Sequence, residues 1–222
     1  MFFKELSTLI HKEILLELRQ KYALNGIIIY VVSTVVICYL SFNLREQQLS
    51  PPAWNALFWI ILLFTAVNAV AKSFQQERQG RFLYYYMLAS PEAVIFAKII
   101  YNTLLMLLLG LVGYGFYSLL LGNPVEDKLL FVLNLLTGAI GFSSVLTMIS
   151  GIASKAGNNA VLMAILSFPV ILPMLLMLIK VSKNAIDGLD RSASFDELIT
   201  LFAINIIVWV LSFILFPFLW RS

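Results

Sequence analysis

Six long runs of apolar residues, at about 25–43, 54–71, 94–121, 129–151, 159–179 and 199–219, take up most of the 222-residue chain and limit its fold more than any other feature. Each is close to the roughly 20 residues that cross about 30 Å of hydrocarbon as a helix. Inside a bilayer every backbone N–H and C=O must be satisfied within the protein, which leaves helices or closed barrels. Barrel strands alternate apolar and polar residues over about ten positions, whereas these runs are continuous, so helices are expected. The composition agrees: 61% of residues are hydrophobic and 12% charged, against about 45–50% and 25% in soluble domains. The expected fold is an all-α integral membrane protein, with six transmembrane helices in one domain over residues 1–222.

Charge and cysteine content narrow the function. The net charge of +3 is small and its cations are spread over the connections, which argues against nucleic-acid binding. Cys38, the only cysteine, allows no intrachain disulfide and no cysteine-based metal motif. The cations read better as a topology signal. With the N-terminus cytoplasmic, one side holds Lys4, Lys12, Arg19, Lys21, Lys72, Arg78, Arg81, Lys98, Lys155 and Arg221; the other holds Arg45, Lys128, Lys180, Lys183 and Arg191. This bias places both termini in the cytoplasm. Residues 180–198 are expected to form a solvated loop. Trp54, Trp59 and Trp220 are expected to anchor span ends at the membrane interface.

Residues 2–21 differ in kind. At 100° per residue Phe2, Phe3, Leu6, Leu9, Ile10 and Ile14 share a face, while Lys4, Ser7, Thr8, His11 and Lys12 lie away from it, as in a helix along the membrane surface. No small-residue cleavage site follows, so the segment is expected to remain in place. Glu13 and Glu17 fall on the apolar face. A helix facing only lipid would not tolerate them there, so its second half is expected to pack on protein, near Arg78 or Arg81.

No catalytic set is legible. The only histidine, His11, lies in the surface helix, and there is no HExxH, Gly-x-Ser-x-Gly or Walker A loop, nor paired aspartates within spans. Charges sit at span margins, which argues against an intramembrane carboxylate relay. Asn68, Asn102, Asn134 and Asn205 are expected to tie helices together by hydrogen bonds. Ala139, Ser143, Thr147 and Gly151, four residues apart, form a small-residue stripe suited to close helix approach within the bundle or across a dimer. Pro169 and Pro173 remove two backbone donors one turn apart, giving either a static kink or a moving element.

Several of these stretches match one pattern in order and spacing. HKEILLELRQ, with Glu17, Leu18 and Arg19, the interval from Phe74 through Glu77, Gly80, Leu83 and Ser90-Pro91 to Lys98, the Gly-rich AIGFSSVLTMISGIASKAGNNAVLMAIL and the pair Pro169 and Pro173 together resemble the CcmB family. This is the heme exporter protein B, or cytochrome c maturation permease, within the ABC-2 type permeases. Arg81 and Tyr84 to Tyr86 depart from the family pattern, and the interval from Phe74 to Gly80 is one residue short. The resemblance implies a permease subunit without its own nucleotide site, and so not an enzyme. It implies a CcmA-like ATPase, CcmC- and CcmD-like membrane subunits, the heme chaperone CcmE and two permease copies per complex. Heme then enters as handled cargo and ATP only through the partner, in the inner membrane. A short cytoplasmic coupling helix is expected over 72–92, between spans 2 and 3. Glu77, Arg78, Gly80 and Arg81 would touch the ATPase, Tyr84 to Tyr86 would seat at the membrane surface, and Pro91 would end the segment. An ABC-2 permease for a lipid or drug, and a non-transporting assembly scaffold, are the alternatives.

Overall fold

The computed structural model describes residues 2–19, 21–43, 49–70, 89–155 and 160–221. Among these residues there is no strand. Seven α-helices follow in order: α1 (Phe2–Arg19), α2 (Lys21–Asn43), α3 (Pro51–Val70), α4 (Pro91–Leu121), α5 (Lys128–Lys155), α6 (Ala160–Ile186) and α7 (Phe195–Arg221), with a 3-10 turn at Arg191–Ser194. The helices α2 to α7 supply six spans: Asn25–Phe42, Pro51–Val70, Pro91–Leu121, Lys128–Ser154, Ile165–Ile186 and Arg191–Leu219.

The bundle is organised around α5, which packs against α3, α4, α6 and α7. Its residues Phe131, Leu135, Phe142, Val145, Leu146 and Ile149 are all buried. By contrast α2 lies at the edge, touching α1, α3 and α4. Because the helices are connected in sequence, the ends split into two sets. The α1 end gathers the N-termini of α2, α4 and α6 and the C-termini of α3, α5 and α7.

Local chemistry explains several boundaries. Pro51 and Pro91 open α3 and α4, where a missing N–H costs nothing because the first turn has no intrahelical acceptor for it. Gly188 ends α6 with φ +62°, while the Leu189 N–H reaches back 3.1 Å to the Asn184 carbonyl, the 6→1 bond of a glycine-terminated helix. A Cβ there would also collide with the Glu126 carboxylate.

Two expectations fail here. The fifth span does not stop at 179 but continues to Ile186, so Lys180, Lys183 and Asn184 are helical and the solvated loop shrinks. Two of these polar groups are matched across the fold: Lys180 pairs with Glu197 of α7, and Asn184 Nδ2–H donates to Ser194 Oγ at 3.0 Å. Trp54 and Trp59 are not interfacial anchors, being each 1% exposed. Trp54 Nε1–H donates to the Gly122 carbonyl at 3.0 Å, and its own carbonyl accepts from Tyr117 OH at 3.0 Å. Trp59 Nε1–H donates to Ser182 Oγ at 2.8 Å. An indole N–H needs one acceptor, and here Gly122, just past α4, and Ser182 of α6 provide it. The side chain of Trp220 lies outside the described residues.

Candidate functional site

At the α1 end of the bundle two carboxylates of α1 contact the start of a span. Leu9, with Leu6 and Ile10 beside it, packs against Ala93, Val94, Ile95, Ala97 and Ile99 of α4 and Phe216 of α7. This apolar seam turns two acidic residues of α1 inward. The Glu5 carboxylate accepts from Ser90 Oγ at 3.0 Å and from the Ser90 N–H at 3.4 Å. Ser90 is the residue before α4, so the carboxylate also lies at the helix end that favours negative charge.

Two turns further along, Glu13 Oε1 accepts from Lys98 Nζ at 3.2 Å and lies 2.7 Å from Lys12 Nζ. Lys98 is 1% exposed and Glu13 11%. Burial pushes the Glu13 carboxyl up, but the two ammonium groups, Lys98 ahead of Lys12, outweigh that and hold it below the ordinary glutamate value. The anomaly of a carboxylate on the apolar face of α1 is thereby explained: α1 packs on protein, and its described partner is Lys98. Arg78 and Arg81, the partners expected from sequence, lie outside the described residues.

So do Glu77, Gly80 and Tyr84 to Tyr86, and with them most of the 72–92 coupling segment. Its described remainder is residues 89–92: Ala89, Ser90, which Glu5 holds, and Pro91 and Glu92, which already belong to α4. The α1 strut is therefore fastened to the two turns of α4 that directly follow the segment.

The other singled-out residues line helix contacts. Ser143 and Thr147 are fully buried and face α4: the Thr103 and Ser143 hydroxyls share a 2.5 Å hydrogen bond, and Asn102 Nδ2–H donates to Thr147 Oγ1 at 2.8 Å. Ala139 and Gly151 of the same stripe are buried too, so this face is occupied within the bundle. Asn134 Nδ2–H donates to the Leu178 carbonyl and to Ser182 Oγ, both at 2.8 Å, tying α5 to α6. Asn68 differs, since it bonds the Phe64 carbonyl of its own helix. Asn205 is buried, with Oδ1 against Gly141. Pro169 and Pro173 lie inside α6, which continues past both.

Sequence reasoning missed Asn55, whose Nδ2–H donates to the Ile179 carbonyl at 2.8 Å, and Trp209, whose Nε1–H donates to Ser144 Oγ at 2.8 Å. A polar side chain within an apolar run was the available signal for Asn55. At the opposite end Asp127 caps α5 through the Leu130 N–H at 3.0 Å. It also takes a two-pronged bond from Arg191, at 2.6 and 3.1 Å. The Arg191 hydrogen bonds, then that N–H, hold its carboxyl at about 2. Among the described residues no group of three or more His, Cys, Asp or Glu comes together.

Buried polar ties between six apolar helices long enough to span, with α1 packed against one end of them, define a multi-pass α-helical membrane protein. The sequence model described as CcmB protein matches residues 4–218. The chain belongs to the CcmB family, and so to the permease component of heme export for cytochrome c maturation, in a system with an ATPase and further membrane subunits. No curated protein matches the chain.

Proposed function

We propose that this chain converts ATP hydrolysis by a separate CcmA-like subunit into movement of the membrane bundle, serving heme export or the release of heme-loaded CcmE. The observation that carries the reading is the family match over residues 4–218. An ATPase can shift a permease only through contacts that differ between two states, so the contact segment has to be joined stiffly to the spans. Glu5 on Ser90 and Glu13 on Lys98 supply such a joint at the start of α4. Glu77, Arg78, Gly80 and Arg81 are the ATPase-facing residues of this reading, with Tyr84 to Tyr86 at the membrane surface and Pro91 as the joint. Pro169 and Pro173 are the positions where α6 would flex, while Ser143, Thr147 and Gly151 hold α5 to α4.

Heme is cargo in this scheme, and ATP is bound by the partner. The ten-to-five division of lysine and arginine supports cytoplasmic termini in an inner membrane. The test is co-purification with the partner ATPase, CcmC-like and CcmD-like subunits and CcmE, with heme content and nucleotide dependence measured on one sample. Nucleotide-dependent loss of heme-loaded CcmE is expected. Co-purification that nucleotide does not alter would favour an assembly scaffold, and ATPase stimulation by a lipid or drug with no heme or CcmE retained would favour another cargo.

A further inference from the structure

The two halves of α6 are held very differently. In residues 174–186, Met174, Leu175, Leu178, Val181, Ser182, Asn184, Ala185 and Ile186 are all buried, and the polar ties to other elements converge here. The Leu178, Ile179 and Ala185 carbonyls accept from Asn134, Asn55 and the Asp127 N–H. Ser182 accepts from Trp59 and Asn134, Lys180 pairs with Glu197, and Asn184 donates to Ser194. In residues 160–173, Ser167 is the one side chain with an oxygen or nitrogen. Among the described side chains there, Met163, Ser167 and Ile171 are buried, a single stripe four residues apart, while Ile165 and Phe168 are 63% and 62% exposed.

The border between the halves is itself weakened. Pro169 and Pro173 leave the Ile165 and Pro169 carbonyls without their helical N–H partners in consecutive turns. Directly after them, the fully buried Met174 fills the gap left by Gly141 of α5, where a Cβ would collide with its Sδ. A helix segment with few buried contacts and missing backbone bonds opens at low cost, whereas a densely tied one does not. We propose that residues 160–173 are a moving arm, swinging about Met174 in the Gly141 notch while residues 174–186 stay fixed to α3, α5 and α7. The proposal rests on the reading that ATP hydrolysis moves the bundle, and it assigns that movement to the half of α6 that begins at the α1 end.

The test is a pair of spin-label distances in the assembled complex, with one labelled copy of this chain carrying Cys38→Ser and labels on this chain alone. Leu129→Cys on α5 is the reference, paired with Ile165→Cys in the arm or with Leu176→Cys in the fixed half. A bend of about 20° moves the end of an arm about 13 Å long by about 5 Å. The 129–165 distance should therefore change by about that much between nucleotide-free and ATP-trapped complex, and the 129–176 distance should stay constant. Pro169→Ala with Pro173→Ala restores both backbone donors and should abolish the change together with ATP-dependent release of heme-loaded CcmE. Equal changes at 165 and 176, or release at the native rate with the 129–165 distance constant, overturns the arm and leaves the coupling reading standing. Native complex that releases no CcmE on ATP addition overturns that reading and the arm with it.

Discussion

Replacing Glu13 by Gln tests the joint between α1 and α4 with little change of shape. Lys98 is 1% exposed, so its ammonium depends on the protein for charge compensation, and Glu13 lies 3.2 Å away. Removing one member of a buried pair costs about 3–5 kcal/mol. Because Gln can still accept a hydrogen bond, the lower figure, about 3 kcal/mol, is expected for Glu13→Gln. Lys98→Met should cost less, about 1–2 kcal/mol, since Glu13 keeps Lys12 at 2.7 Å and the methionine fills the same space. The double variant should fall short of the sum by about 1–3 kcal/mol, as for residues in direct contact. Thermal unfolding of the purified chain in detergent reads this as a midpoint lowered by about 6–12 °C for Glu13→Gln, at about 2–4 °C per kcal/mol. An unchanged midpoint, or strict additivity in the double variant, would refute the reasoning.

Three further outcomes follow from the geometry. The Glu13 carboxyl is depressed in the fold, so its contribution is complete above the ordinary glutamate value and is lost as pH falls through the lower folded one. The midpoint difference between native protein and Glu13→Gln should therefore be full at neutral pH and shrink in acid; a difference constant with pH would contradict the pairing. Gly138→Ala should destabilise by about 1–3 kcal/mol, because a Cβ would lie 2.9 Å from the Trp59 ring, which its bond to Ser182 holds in place. Gly26→Ala meets nothing within 4 Å and should stabilise α2 by about 1 kcal/mol. Equal effects at the two glycines, read by the same unfolding assay, would contradict the packing.

Apolar run length made the six spans legible, because crossing hydrocarbon demands about 20 residues whatever their neighbours are. It could not show which way a side chain points. In α3 nearly every position is apolar, so a Trp that meets lipid headgroups and one that donates to Gly122 or Ser182 look alike in sequence; the acceptors lie 68 and 123 residues away. The fifth span ended too early for a related reason. Lys180 and Asn184 read as loop residues until Glu197 of α7 and Ser194 of the 3-10 turn before it are seen to receive them. Glu13 was the most informative residue of the candidate site, since a carboxylate on an apolar face requires a partner. Its partner Lys98, 85 residues away, is fixed by tertiary packing and not by any local pattern. The family match needed neither contact, because order and spacing along the chain carried it.

The central claim is that the segment leading into α4 receives work from a separate ATPase. Its most direct measurement is ATP-dependent release of heme-loaded CcmE from the purified complex, with this chain carrying Glu77→Lys. The complex should assemble with its heme content unchanged while release on ATP addition is lost. Release at the native rate, both in that variant and with Glu77, Arg78 and Arg81 replaced together, would contradict the claim.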